Sequence, residues 1–457
     1  MKYTLYLFIM LTACTAPNNK EASKYQAVIS NVNIINVRDG SVSKSKDIVI
    51  DSGKVKIIQD HEANKIESEN IIDGTDRFIM PGLTEMHAHI PSSESGKEYT
   101  EQVLFLYLSN GVTTIRGMLG HSSLLDLRKS ALNNEILSPR IFTSSPSLNG
   151  NTITSVDEAR KLVTTYANDG YDFLKIHPGL KLDVFEELVK TANELGIPYA
   201  GHVPVDVGIR KALSSKYASI DHVDGFLEGL VPTSYNIDRN ENGFFGYNFT
   251  DLVDTTLIDN LVEMSKQNKV WIVPTQSLYD RWFSPVEAEK YASEPEMKYM
   301  PKSTIDNWIK NKNDLTGNDN YNKEQWERFN NIRNLLIKKL HKNGYGLLLG
   351  SDAPQVFNVP GFSIHHELEG MMNAGLSTLE AIQIGTINPA KYFNMEGEFG
   401  EILEGASADF ILLENNPLED MKNIKNPFGV MVRGKWLSRE AINNRLKEIE
   451  EYVIQNE

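Results

Sequence analysis

The 457-residue sequence contains a single cysteine, Cys14, so no disulfide can form within the chain and the fold must rest on packing. Long hydrophobic runs are missing as well. The apolar stretch from Tyr3 to Met10 falls far short of the roughly 20 residues a membrane-crossing helix needs. Positive charge is scarce: 46 basic against 61 acidic residues leave a formal net charge of -15, with no basic cluster. Nucleic-acid binding rests on concentrated Lys and Arg that neutralise phosphates, so a nucleic-acid partner is excluded. No Pro, Gly or Ser tract marks a disordered region, and 40% hydrophobic with 23% charged residues suits a globular chain with a sizeable core. At this length one core is usually not enough, which favours a large α/β domain with a smaller companion.

The first residues read as a processing signal. Met1-Lys2 supplies a positive start, Tyr3 to Met10 an apolar run, and Leu11-Thr12-Ala13-Cys14 follows. That tetrapeptide resembles a bacterial lipoprotein lipobox. The resemblance implies loss of residues 1–13 and a lipid on Cys14, through which the chain would meet a membrane. Thr15, in place of an aspartate, implies onward transport to the outer membrane of a Gram-negative cell envelope, facing the periplasm. Cleavage at another position, with Cys14 incidental, is the alternative.

Beyond a polar linker (14–25), β-branched residues dominate 28–37, 47–51 and 54–58, with turns at Gly40 and Ser52-Gly53. Strand-like runs return at 408–413 and 430–436. Both termini are therefore expected to build one small β-sandwich (26–80 and 395–440), with a (β/α)8 TIM barrel inserted at 81–394 and a C-terminal helix at 441–457. Eight candidate barrel strands alternate with amphipathic segments: 83–89, 112–118, 140–145, 173–177, 199–203, 219–223, 270–276 and 346–352. Ser155-x-x-Glu158 and Ser377-x-x-Glu380 read as helix-capping boxes, and Asp183-x-x-Glu186 is close to one. The segments 225–269 and 278–345 exceed what a βα loop needs and are expected to extend the catalytic face.

The chemistry-bearing residues lie at the strand ends. In Met86-His87-Ala88-His89 the two imidazoles are two residues apart, which on a strand places them on one side about 7 Å apart along the chain. His202 and His222 each end a candidate strand one βα unit apart, so their side chains should emerge together. Asp352 ends the last strand, where an unpaired carboxylate would be costly and a cation would resolve the cost. Lys175 puts an amine into the buried run Phe173-Leu-Lys-Ile. Either it pairs with an acid, or it reacts in its neutral form with carbon dioxide to give a carbamate that bridges two metal ions.

Together with Pro81-Gly82-Leu83, Gly111-Val-Thr-Thr-Ile-Arg116, Gly350-Ser-Asp352 and Gly405-Ala-Ser-Ala-Asp409, this set resembles the amidohydrolase superfamily over about 28–436. Within it the sequence is most similar to the imidazolonepropionase-like and Xaa-Pro dipeptidase-like subgroup. Thr84-Glu85 and Gly117 depart from that subgroup's common residues, so substrate contacts do not carry over. The resemblance implies two divalent ions, for which zinc suits the ligands: one on His87, His89 and Asp352, the other on His202 and His222, with N6-carboxylysine at Lys175 between them. It further implies hydrolysis of an amide-like C–N bond in a small molecule (a dipeptide, N-acyl amino acid or cyclic amide) by a metal-bridging hydroxide, with Asp352 as general acid/base. An ester, lactone or phosphotriester hydrolase on the same centre is the nearest alternative, and a non-catalytic metal-binding lipoprotein a more distant one. His177, His365 and His366 are candidates for substrate contact. Tyr279, Trp282, Phe283, Trp308, Tyr321, Trp326 and Phe329 either line a pocket or pack the extension that carries them. A homo-oligomer is compatible with all of this.

Overall fold

A computed structural model describes residues 25–62, 66–319 and 321–456; Cys14 and the signal segment lie outside them. Both ends of the chain contribute to one eight-stranded sheet. Tyr25–Ile35, Val42–Asp51 and Lys54–Asp60 form an antiparallel meander, while Ser68–Asp73 and Phe78–Pro81 pair in parallel with the first of these. Phe410–Leu413 then adds antiparallel to Phe78–Pro81, followed by Gly429–Val432 and Lys435–Ser438. The expected sandwich is thus one hydrogen-bonded sheet joining the termini. It buries its own apolar set, including Ile29, Val32, Ile48, Ile50, Phe410 and Met431.

The middle of the chain forms a parallel sheet of seven strands in sequence order: Leu83–Ala88, Val112–Gly117, Arg140–Leu148, Phe173–Ile176, Tyr199–Gly201, Ser219–Asp221 and Trp271–Val273. Each coincides with an expected strand. The eighth differs. Residues 347–353 form no regular strand, yet they link the first strand to the seventh, because Leu348 N–H donates to Ile272 O and Met86 N–H to Leu349 O. The regular ladder fails there for two reasons. Ser351 N–H donates to the Glu85 carboxylate instead of a backbone carbonyl, and Asp352 has φ +63°, outside the extended region. The sheet therefore closes nearly into a barrel with seven regular strands.

Helix ends explain themselves locally. Ser377 and Glu380 form a complete capping box at Thr378–Gly385, and Ser155 caps Val156–Asp169. Asp183 does not cap its helix: Leu182–Leu195 starts after Lys181, which leaves Asp183 in the first turn, where its charge suits the helix dipole. The C-terminal helix Arg439–Gln455 starts at its cap Ser438. The two long extensions hold the helices Phe226–Gly229 and Ile258–Gln267, then Gln276–Trp282, Ala288–Ala292, Lys302–Thr316 and Lys323–Asn343. Among the described residues no helix is long and apolar enough to cross a membrane.

Candidate metal centre

The expected histidines and Lys175 sit at the C-terminal ends of their strands, where parallel barrels gather chemistry, and Asp352 joins them from the closing segment. His87 and His89 come from the first strand and its edge. The closing segment is locked against them, since Asp352 N–H donates to His87 O and His89 N–H to Ala353 O. Asp352 Oδ1 consequently lies 2.7 Å from His89 Nε2 and 3.5 Å from His87 Nε2, and these three residues offer ligand atoms within 4.8 Å of one another. Imidazole rings then follow in an unbroken row. His87 is 4.5 Å from His222, His222 is 4.6 Å from His202, and His202 is 5.1 Å from His177, centroid to centroid.

Lys175 lies in the floor of this row. It is fully buried, and its Nζ has no hydrogen-bond partner. The close approach needs Gly201, whose Cβ would stand 3.1 Å from Lys175 Cδ and 2.4 Å from Ile176 O. An ammonium without a partner is expensive in such a place, and burial pushes the Lys175 pKa down to about 8, against the opposing pull of Asp221 and Asp352. The acid pairing expected as the alternative is therefore not formed. His202 and His87 are held neutral, the form a metal ligand needs: burial, and after it the Lys175 charge, takes His202 down to about 3 and His87 well below its ordinary value. His222 is also far depressed, by burial first and the neighbouring His87 next.

Two of the rings are oriented from behind by hydrogen bonds: His202 Nδ1 lies 3.1 Å from Asp224 Oδ2, and His222 Nδ1 lies 2.9 Å from Thr275 Oγ1. His87 Nδ1 lies 2.9 Å from Asp221 Oδ2 but is not aligned to hydrogen-bond with it. Turning Nδ1 toward these oxygens leaves Nε2 for a metal, as partners of ligating histidines commonly do. Asp221 is itself paired with the fully buried Arg116, which also donates to Met86 O, Ser219 Oγ and Tyr392 Oη. Glu85 braces the first strand against the closing segment by accepting from the N–H groups of His87 and Ser351, and burial raises its pKa to about 8. Strain gathers at the same place. His222 (φ +66°), Val223 (+57°), Thr275 (+48°) and Asp352 (+63°) all occupy the left-handed region that side chains with a Cβ avoid.

His177 is the one substrate candidate found beside this set. It stacks on His202, receives a 2.7 Å contact from Ser147 Oγ, and borders an open cavity of about 540 Å³ with Ser147, Asn149 and Asn151. His365 and His366 are not brought to the centre. They are consecutive on Ser363–Asn373, so their side chains diverge around that helix. His365 pairs with Asn110, whereas His366 contacts Arg281 and Glu296. The expected aromatics divide: Phe283, Trp326 and Phe329 are mutually in contact and buried in the extension, Trp282, Phe283 and Tyr321 line a cavity within it, and Tyr279 reaches His222 O with its hydroxyl.

Sequence reasoning missed Asp221, Asp224, Glu85, Thr275 and Phe245. A signal existed for two of them, because Ser219-Ile-Asp-His-Val-Asp224 puts one acid at the end of a buried strand and another three residues on.

The profile of the amidohydrolase family matches residues 78–437. An adenine deaminase from Clostridium botulinum is 21% identical over 433 residues, which cover 91% of this chain and 57% of that relative. The chain thus spans little more than half that relative's length. Among solved structures, a bottromycin amidohydrolase superposes with TM-score 0.72 at 20% identity, over 93% of this chain and 90% of the other. A putative prolidase from Bifidobacterium longum superposes with TM-score 0.67 at 21% identity, over 94% of this chain and all of the other.

Proposed function

The chain belongs to the amidohydrolase family, and from this premise we propose that it is a metal-dependent hydrolase cleaving an amide-like C–N bond of a small molecule. The observation that carries the reading is the buried, unpartnered amine of Lys175 at the floor of a row of neutral imidazoles that ends on Asp352. As a carbamate, Lys175 would exchange its unpartnered positive charge for a negative one that divalent ions would neutralise, and would share ligation with His87, His89, His202, His222 and Asp352. A divalent metal pair, zinc by its ligand chemistry, supplies acidified water and a polarised carbonyl when bound.

The chain's own groups do the rest. Asp224 and Thr275 hold the rings of His202 and His222 by their Nδ1 atoms, and the Asp221 carboxylate lies beside His87. In this reading Asp352 takes a proton from the attacking water on one carboxylate oxygen and returns it to the leaving nitrogen. His177, with Ser147 behind it, borders the open side and is available to substrate. The relatives named adenine deaminase and prolidase both break C–N bonds, which supports the bond class and leaves the substrate open. We further propose that Cys14 carries the lipid its surrounding sequence suggests and holds the enzyme on an envelope membrane.

Turnover by zinc-loaded protein, screened over dipeptides, N-acyl amino acids, cyclic imides, adenine and matched esters, tests this reading. Hydrolysis of C–N substrates is expected, and Asp352→Asn should lower kcat about 10²- to 10⁴-fold in a folded, metal-loaded protein. Turnover of esters alone, or near-normal activity in Asp352→Asn, would contradict it. The native N-terminus, read by mass spectrometry, decides the lipid.

A further inference from the structure

We propose that Phe245 is the specificity-determining wall of the site, and that the substrate carries an apolar, preferably planar, group next to the scissile bond; this rests on the hydrolase reading above. Phe245 arrives on the strap Gly243-Phe244-Phe245-Gly246, contributed by the first long extension. Its ring centroid lies 5.5 Å from that of His222 and 6.0 Å from that of His202, with an interplanar angle of only 25° to the latter. Tyr279 meets it edge-on at 5.2 Å. The ring is half-buried, so what these three neighbours leave uncovered faces solvent at the side of two expected ligands.

The backbone is held in place against its own preference. Phe245 has φ +55°, an outlying value for a bulky residue, between Gly243 at +67° and Gly246 at +80°. Glycine at 245 would adopt this turn freely. Strained conformations persist where surrounding contacts over-determine them, and here the contacts are explicit. Asn242 donates to Glu228, Asn248 N–H donates to Asn242 O, and Gln325 donates to Tyr247 O. A Cβ on Gly246 would stand 2.7 Å from Leu227 Cβ, so the strap is pressed onto the helix that follows His222. Phe244 points the other way, 51% exposed, with its ring 5.2 Å from that of Trp282, which anchors the strap's outer side.

The site therefore juxtaposes a polar cluster of histidines, Lys175 and Asp352 with a preformed aromatic face. Binding sites of this kind fix a substrate by a few polar groups and gain affinity from the apolar remainder. A phenyl face suits planar apolar groups best, through offset or edge-on contact.

The experiment is a two-by-two panel of amides, acetyl or phenylacetyl on methylamine or benzylamine, measured on the zinc-loaded wild type, Phe245→Gly and Phe245→Tyr. Phe245→Gly relaxes the backbone while removing the ring, so a folding failure does not confuse the result. On the arm that carries the ring, the kcat/KM preference for ring-bearing over ringless amide is expected to fall about 10- to 100-fold in Phe245→Gly. Metal content should stay unchanged, and Phe245→Tyr should restore the preference. An equal loss on all four amides, or an unchanged preference, would overturn the assignment, as would metal loss without a change in preference. If the wild type turns over none of the four, the hydrolase reading fails on these amides and calorimetry decides the inference separately. Phenylacetate or benzylamine binding to wild type but not to Phe245→Gly, with acetate and methylamine unaffected, supports it; equal binding, or none to wild type, refutes it.

Discussion

Replacing Lys175 by methionine should make the metal-free protein more stable and the enzyme inactive. Lys175 is fully buried with its amine unpartnered, and burial lowers its pKa from 10.5 to about 8. That difference corresponds to about 3 kcal/mol that the metal-free fold loses by holding the ammonium. Because the folded pKa is the lower one, the penalty is complete below about pH 8 and fades as pH rises toward 10.5, where the unfolded chain also gives up its proton. Methionine has a similar length and no charge, so it fills the space at little packing cost.

Chelator-treated protein in carbon dioxide-free buffer, melted at pH 7 and again near pH 10, measures the effect. Lys175→Met is expected to melt a few degrees above wild type at about pH 7, since a kcal/mol shifts a domain of 150–250 residues by about 2–4 °C and a longer chain by less. The gap should narrow at the higher pH. With zinc and bicarbonate restored, wild type should bind two metal ions per chain and turn over, whereas the variant should bind fewer and be inactive. A variant less stable than metal-free wild type at pH 7, or one with full metal occupancy and activity, would refute the reasoning.

Arg333→Met should destabilise the fold by about 3–5 kcal/mol, the cost typical of breaking a buried charged network from one side. It strands Pro274 O and the Arg333 contact of Gln276 Oε1 and leaves His222 O with Tyr279 Oη alone, and denaturant unfolding reads the loss. Ser377→Ala removes one half of a complete capping box and should cost about 0.5–2 kcal/mol by the same measurement, with kcat unchanged. Cys14→Ala should move the protein from the membrane fraction to the soluble one, as fractionation and immunoblotting would show.

The strand-end ligands were legible because two signals coincide in them. A period of two fixes which side chains share a face, and residues such as His87, His89, His202 and Asp352 are chemically out of place in apolar runs. Lys175 was legible for the same reason. The eighth strand was misread because Leu347-Leu348-Leu349 carries a strand's composition, while its ladder is interrupted by a side chain, Glu85, more than 260 residues earlier in the chain. Arg333 was beyond reach. It shares the helix Lys323–Asn343 with Arg328, in similarly polar surroundings, yet Arg328 is 47% exposed beside Asp251 and Arg333 is wholly buried. Nothing in the local pattern separates the two; only the position of the helix against the barrel does.

That position gives the long extensions a physical reason. His222 adopts φ +66°, which aims its ring at the centre but takes its carbonyl out of the parallel ladder. A buried carbonyl left without a donor is costly, so one has to come from outside the sheet. The second extension supplies two: Arg333 Nη1 at 2.7 Å and Tyr279 Oη at 3.3 Å. Arg333 lies over the Tyr279 ring at 3.5 Å, so the donors brace each other. The first extension approaches the same residue from the open side through Phe245. Both insertions thus converge on one strained ligand, one supporting its backbone and the other walling its ring, and it follows that shortening either of them should disturb the His222 end of the centre before the His89 end.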